Sequence, residues 1–153
     1  YKDKLPIFGV CFGHQLIAQA LGGNVEKSIK GWGLGLHTYQ ISNKTDYMSN
    51  LLEEVTLNIC HQDQVLQAPE GATVYAKSEF CENAGFYIKN KVLTMQAHPE
   101  FLVNFIKDLL SARRDITIPK EFVDPALIKL EARPESVQSI QFAETIRQFF
   151  KLS

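Results

Sequence analysis

Apolar and polar positions change period several times along the chain, and each change marks an element. Leu5 to Val10 is an apolar run without alternation, the pattern of a strand buried on both faces of a parallel sheet. From Gln15 the spacing turns helical, with Leu16, Ile17, Ala20 and Leu21 on one face, and Gly22-Gly23 follow where a helix terminus takes a left-handed residue. Leu34 to Ile41 and Val55 to Cys60 read as strands, and the polar stretch Asp46 to Glu54 between them is expected as an exposed helical turn or loop. Ala72 to Phe80 and Ala84 to Ile88 read as two more strands. Asn90-Lys91 predicts a tight turn into Val92 to Gln96, a hairpin whose far strand delivers His98 at its end.

Two amphipathic helices are predicted downstream. Phe101 to Leu110 carries apolar residues at Phe101, Leu102, Phe105, Ile106, Leu109 and Leu110, and Glu135 to Phe150 carries them at Val137, Ile140, Phe142, Ala143, Ile146, Phe149 and Phe150. Asp115 to Pro134 contains three prolines and mixed charges, so it is expected as a surface connection with a short helical piece around Ala126 to Leu130. Neither an internal repeat nor a low-complexity tract interrupts the pattern.

A chain of 153 residues with 45% hydrophobic content can bury a core as one domain. Its formal charge of -1, from 16 basic and 17 acidic residues without long runs, argues against a nucleic-acid or membrane surface and suits a small zwitterionic substrate. The three cysteines, at irregular spacings, make no disulfide framework. No apolar stretch reaches the length of a bilayer span, and no signal-peptide pattern opens the sequence. A soluble cytoplasmic protein is the expectation.

The candidate chemistry sits where the first strand meets the first helix, in Gly9-Val10-Cys11-Phe12-Gly13-His14-Gln15. Small residues beside a nucleophile allow a strained bend between strand and helix, which lifts the side chain into a cleft. Unpaired N–H groups at the helix start favour negative charge at such a thiol. A partner lies in Gln96-Ala97-His98-Pro99-Glu100-Phe101, where Pro99 biases His98 to extended backbone. Residues two apart in an extended segment project to one side, so the Glu100 carboxylate can hold one nitrogen of the His98 imidazole. The other nitrogen is left to exchange a proton with Cys11.

Other residues carry less. Cys81 reads as a small buried hydrophobe. Gln15 lies one helical turn after Cys11, and its amide suits either a polar substrate or an ordinary surface position. His61 either shapes its loop through hydrogen bonds or touches substrate, and Asp63 can cap the turn before Val65. No ligand pair at zinc spacing supports a metal site. Gly31 to Gly35 lacks the strand and helix start of a phosphate loop and reads as a turn into the Leu34 strand.

The motifs resemble those of the class I (triad) glutamine amidotransferases, especially the free-standing domains similar to the amidotransferase part of GMP synthase. They are Gly9 to Gln15, Leu21-Gly22-Gly23, His61-Gln62-Asp63-Gln64-Val65 and His98-Pro99-Glu100, in family order. Gly31-Trp32-Gly33-Leu34-Gly35 is similar to a further family segment, although relatives often carry an acid where this chain has Gly33. The resemblance implies a flavodoxin-like α/β fold of three layers: a mainly parallel sheet with helices on both faces, and the site at the carboxyl ends of the strands. It implies Cys11 as nucleophile, His98 as base and Glu100 as third member of the triad. The Phe12 N–H would hold the oxyanion, and Gln15 with His61, Gln62 and Asp63 would line a pocket for L-glutamine. No metal or organic cofactor is needed, and the ammonia would pass to a separate synthetase partner, with xanthylate amination as one destination.

Family members place earlier strand and helix units, and one oxyanion-hole loop, before the nucleophile strand. A chain that opens at Tyr1 is therefore expected to be the C-terminal part of a longer domain. Two other readings stand beside glutamine hydrolysis. One is a γ-glutamyl peptidase with the same triad, and the other is a non-catalytic regulatory or interaction domain.

Overall fold

The computed structural model describes residues 5–132 and 138–152. In chain order its first half comprises β1 (Ile7–Val10), α1 (Phe12–Ala20), β2 (Asn24–Lys27), β3 (Gly33–Ile41), β4 (Glu54–His61) and β5 (Asp63–Gln67). Then follow β6 (Thr73–Lys77), β7 (Gly85–Ile88), β8 (Val92–Met95), α2 (Val103–Arg113), α3 (Lys120–Ala132) and α4 (Ser139–Leu152). Six strands form one sheet in the order β1-β8-β7-β6-β3-β4, and β2 pairs with β5 in a separate antiparallel ribbon.

The α/β architecture agrees with expectation, but the sheet is mixed rather than mainly parallel. β1 and β8 pair in parallel, while every other pairing in the six-stranded sheet is antiparallel. The cause is connection length. The turn after β7, closed by the Lys91 N–H on the Ile88 carbonyl, is too short for anything but a hairpin, whereas β1 and β8 are separated by most of the chain.

Helices cover both faces. Successive residues of β1 point to opposite sides: Phe8 meets Phe142 of α4, with ring centroids 6.4 Å apart, and Gly9 lies under Ile17 of α1. The larger core sits on the α4 side and joins Tyr39, Leu57, Ile59, Tyr75, Leu93 and Met95 with Phe142 and Phe149, all buried. A second cluster packs Leu34 of β3 against Ile106 and Leu110 of α2 and Val123 and Leu130 of α3. Each such side chain contributes roughly 1.5–3 kcal/mol on burial.

Three expectations are corrected. Asp46 to Glu54 is not wholly exposed: Asp46–Met48 is a single 3-10 turn, and Tyr47, Met48 and Leu51 enter the main core, with Tyr47 edge-on to Phe149. The proline-containing segment is not a surface connection with a short helical piece. It forms the 13-residue α3 with Pro125 inside, because Val123, Ala126 and Leu130 share one buried face and their packing outweighs the lost backbone bond. Asp63, expected to cap a turn before Val65, instead opens β5 and pairs with Lys27 of β2, a strand that was not anticipated because it is exposed and polar apart from Val25. Glu135 and Val137, placed at the start of the last helix, lie outside the described residues; α4 begins at Ser139. Among the described residues, no helix is long and apolar enough to cross a membrane.

Candidate active site

The parallel pairing of β1 with β8 brings together two segments far apart in sequence. Val10 stands opposite Met95, so the next residues, Cys11 and Gln96, leave the sheet side by side at the carboxyl ends of their strands. The Cys11 N–H donates to the Met95 carbonyl at 2.9 Å, and the Cys11 carbonyl accepts from the Gln15 N–H at 3.1 Å. Cys11 thus ends a strand and caps α1 at once. Its backbone takes φ 49 and ψ -104, a conformation that costs a residue with a side chain on the order of 1–3 kcal/mol. This is the strained elbow expected from the sequence.

His98 arrives on an extended stretch beyond β8. Its N–H donates to the Asn58 carbonyl at 2.8 Å, which ties the segment to β4, and the Asn58 amide donates to the Phe101 carbonyl at 3.0 Å. The ring is fixed on two sides. Its Nδ1–H donates to Glu100 Oε1 at 2.6 Å, and its face is stacked on the Phe101 ring. The Cys11 side chain is its neighbour on the other side and raises its pKa.

Burial alone would lower the His98 pKa. The Cys11 side chain and the hydrogen bond to Glu100, together with the charges of both, outweigh it and raise the value to about 9. Burial pushes the Glu100 carboxyl up, but its hydrogen bonds to His98 and to its own backbone, and the His98 charge, bring it below the usual range. At neutral pH the pair is imidazolium and carboxylate. The imidazole is largely covered, its side chain 15% exposed, whereas the Glu100 side chain is 53% exposed.

Two of the remaining sequence-predicted residues, Gln15 and His61, converge on the backbone carbonyl of Asp63, a residue that is itself exposed. Gln15 is buried, and its Nε2 donates to that carbonyl at 2.7 Å and to Gln96 Oε1 at 3.1 Å. His61 donates from Nδ1 to the same carbonyl at 3.0 Å and meets the Phe80 ring edge-on. Burial lowers its pKa to about 4, so the ring is neutral. Half-buried Gln62 contributes its carbonyl to the Ser28 N–H at 2.9 Å. The Phe12 side chain is 71% exposed, and its N–H lies in the first turn of α1, where no intrahelical acceptor is available.

Gln96, Asn58 and Phe101 were assigned no role from sequence. For Gln96 a signal existed: it is a polar residue in the buried run Val92 to Ala97, two positions before His98 and therefore on the same side. Gly33 has a packing reason for its size, since a Cβ there would lie 2.4 Å from the Phe80 ring and 2.7 Å from Ile59. All three cysteines are free, and burial pushes the Cys81 thiol up to about 12. Among the described residues, no three His, Cys, Asp or Glu side chains are grouped to hold a metal ion.

Residues 1–108 match the family model for glutamine amidotransferase class-I. The chain belongs to this family. Gamma-glutamyl peptidase 3 of Arabidopsis thaliana is 32% identical over 142 residues, covering 88% of this chain and 57% of the peptidase. A glutamine-hydrolyzing GMP synthase subunit of Methanocaldococcus jannaschii is 36% identical over 98 residues, covering 63% of this chain and 52% of its own length. The crystal structure of a glutamine amidotransferase from Thermotoga maritima superposes with a TM-score of 0.80 at 22% identity, over 98% of this chain and 64% of that one. The class I amidotransferase fold is thereby shared. The chain spans about half the length of the curated relatives it matches.

Proposed function

We propose that the chain hydrolyses the side-chain amide of L-glutamine through a Cys11 thioester, releasing ammonia and glutamate. The observation that carries this reading is the imidazolium–carboxylate pair of His98 and Glu100, electrostatically coupled to Cys11 on a strained elbow. The Cys11 sulfur attacks the amide carbon, and the tetrahedral oxyanion is held by the Phe12 N–H at the helix start. His98 gives its proton to the departing nitrogen, which leaves as ammonia. A water that loses its proton to the now neutral imidazole then cleaves the thioester, and Glu100 keeps the ring oriented through both steps. Gln15, His61, Gln62 and Asp63 surround the substrate in this reading. Similarity to a GMP synthase subunit supports a separate ammonia-accepting synthetase as partner. The free cysteines support a reducing, cytoplasmic setting.

A second substrate class has an observation of its own. The match to the γ-glutamyl peptidase extends over 88% of this chain, against 63% for the GMP synthase relative. The bond broken is the same γ-glutamyl amide, with an amino acid in place of ammonia as leaving group. Glutamate release from L-glutamine and from a γ-glutamyl dipeptide, compared at matched concentrations, separates the two. Reaction with a glutamine-analogue diazoketone should place the adduct on Cys11 and fail in Cys11→Ser. Labelling of Cys60 or Cys81 with Cys11 untouched would overturn the assignment. No adduct on Cys11 and no glutamate from either substrate would favour a non-catalytic domain.

A further inference from the structure

We propose that Gln96 is a positioning residue for the Cys11 thiol, and that Gln15 and the Asp63 carbonyl determine which end of its amide faces the sulfur. The proposal rests on Cys11 as the nucleophile. It extends that reading to a residue outside the triad.

A primary amide can normally turn either end toward a neighbour, but here each link has one polarity. The Asp63 carbonyl can only accept, so the Gln15 amide group 2.7 Å from it is the NH2. The other hydrogen of that nitrogen is directed at Gln96, 3.1 Å away, and Gln96 must answer with Oε1. The Gln96 NH2 is thereby turned to Cys11 Sγ at 3.6 Å. His61 Nδ1–H, on the same Asp63 carbonyl at 3.0 Å, holds the origin of the chain in place. Gln96 itself is fully buried, so its side chain cannot swing out to solvent as a surface glutamine would.

This polarity matters to the chemistry in two ways. The sulfur meets, on the Gln96 side, a donor that cannot take a proton, so the proton that Cys11 gives up is the one carried by the His98 imidazolium. An N–H aimed at sulfur also favours the thiolate, both when Cys11 attacks and when it leaves again as the thioester breaks. A residue that only filled space would be indifferent to the polarity of its amide.

The test uses the full chain and needs no substrate. Alkylation of Cys11 by iodoacetamide is followed by mass spectrometry between about pH 5 and pH 9 for wild type, Gln96→Met, Gln96→Glu and Gln15→Met. Gln96→Met keeps the bulk without the donor, and Gln96→Glu replaces the donor with a carboxylate. Both should move the profile to higher pH, lowering the rate near pH 6 by roughly tenfold while the alkaline limit changes by less than about twofold. Gln15→Met, which removes only the orienting partner, should move it less and in the same direction. A wild-type profile in Gln96→Met overturns the proposal even if Gln96→Glu fails to fold. A shifted profile in a protein that releases no glutamate from L-glutamine would leave the positioning role standing and remove the glutaminase reading. Turnover with unshifted profiles would do the reverse.

Discussion

The His98 imidazole is stacked on the Phe101 ring, with centroids 3.9 Å apart and planes 5° from parallel. Phe105 braces Phe101 edge-on at 4.7 Å, so the stack cannot slide. A cation over an aromatic face gains about 0.5–2 kcal/mol. Phe101→Leu keeps the burial and removes the aromatic face. We expect the His98 titration midpoint to fall below about 9 and glutamate release to drop by roughly threefold to tenfold. Phe101→Tyr should retain both. The ring-proton NMR titration of His98 is the measurement, and an unmoved midpoint in Phe101→Leu would show that Phe101 only fills space.

The His98 and Glu100 shifts make stability depend on pH in a definite window. His98 is raised from 6.5 to about 9, so its contribution is complete below pH 6.5 and is lost as pH rises through about 9. Glu100 is lowered from 4.5, so its contribution is present above pH 4.5 and is lost as pH falls further. The melting-temperature gap between wild type and Glu100→Gln should therefore be widest between these limits and narrow on both sides. Because the carboxylate is half exposed, the corresponding difference in unfolding free energy is on the order of 1 kcal/mol. Turnover should divide the pair differently: His98→Ala abolishes it, whereas Glu100→Gln leaves a slower enzyme whose ring is still placed. Near-wild-type rates in both variants would refute the triad.

Asn58 fastens this segment to the sheet from a fully buried position, accepting from His98 and donating to Phe101. In Asn58→Asp the donor becomes an acceptor facing a carbonyl. The expected cost is about 1–3 kcal/mol in urea unfolding, with a lower kcat and an unchanged KM, since the ring is misplaced while the pocket is not. A lower kcat without any loss of stability would mean that Asn58 acts on the reaction by another route.

Legibility in the sequence followed the range of the interactions. The elbow at Cys11, the pairing of His98 with Glu100 and the hairpin of β7 and β8 are written in residues that are neighbours along the chain. Pro125 misled for the opposite reason: the local rule against proline in a helix is overruled by Leu34 and Leu110, which pack against the face of α3 from other elements. Tyr47 and Met48 sit among polar residues and read as exposed, yet α4 arrives from the far end of the chain to cover them. The contact of Gln96 with Cys11 depends on the register of a parallel pair across 85 positions, which no local pattern carries.

The elbow glycines should respond in opposite directions to the same substitution. A Cβ on Gly9 would stand 2.6 Å from Ile17 Cδ1 and 2.8 Å from both the carbonyl carbon and oxygen of Gly13. The tip of Ile17 can turn aside, but the Gly13 backbone belongs to the first turn of α1 and cannot move without dragging the Cys11 corner with it. Gly9→Ala should then cost about 1–3 kcal/mol and slow alkylation of Cys11. At Gly13 a Cβ meets nothing within 4 Å and the backbone is helical, so Gly13→Ala should stabilise by about 0.5–1 kcal/mol through helix propensity. Thermal unfolding of the two variants decides the matter. If both shift in the same direction, the close approach of β1 to the start of α1 is not what keeps position 9 a glycine.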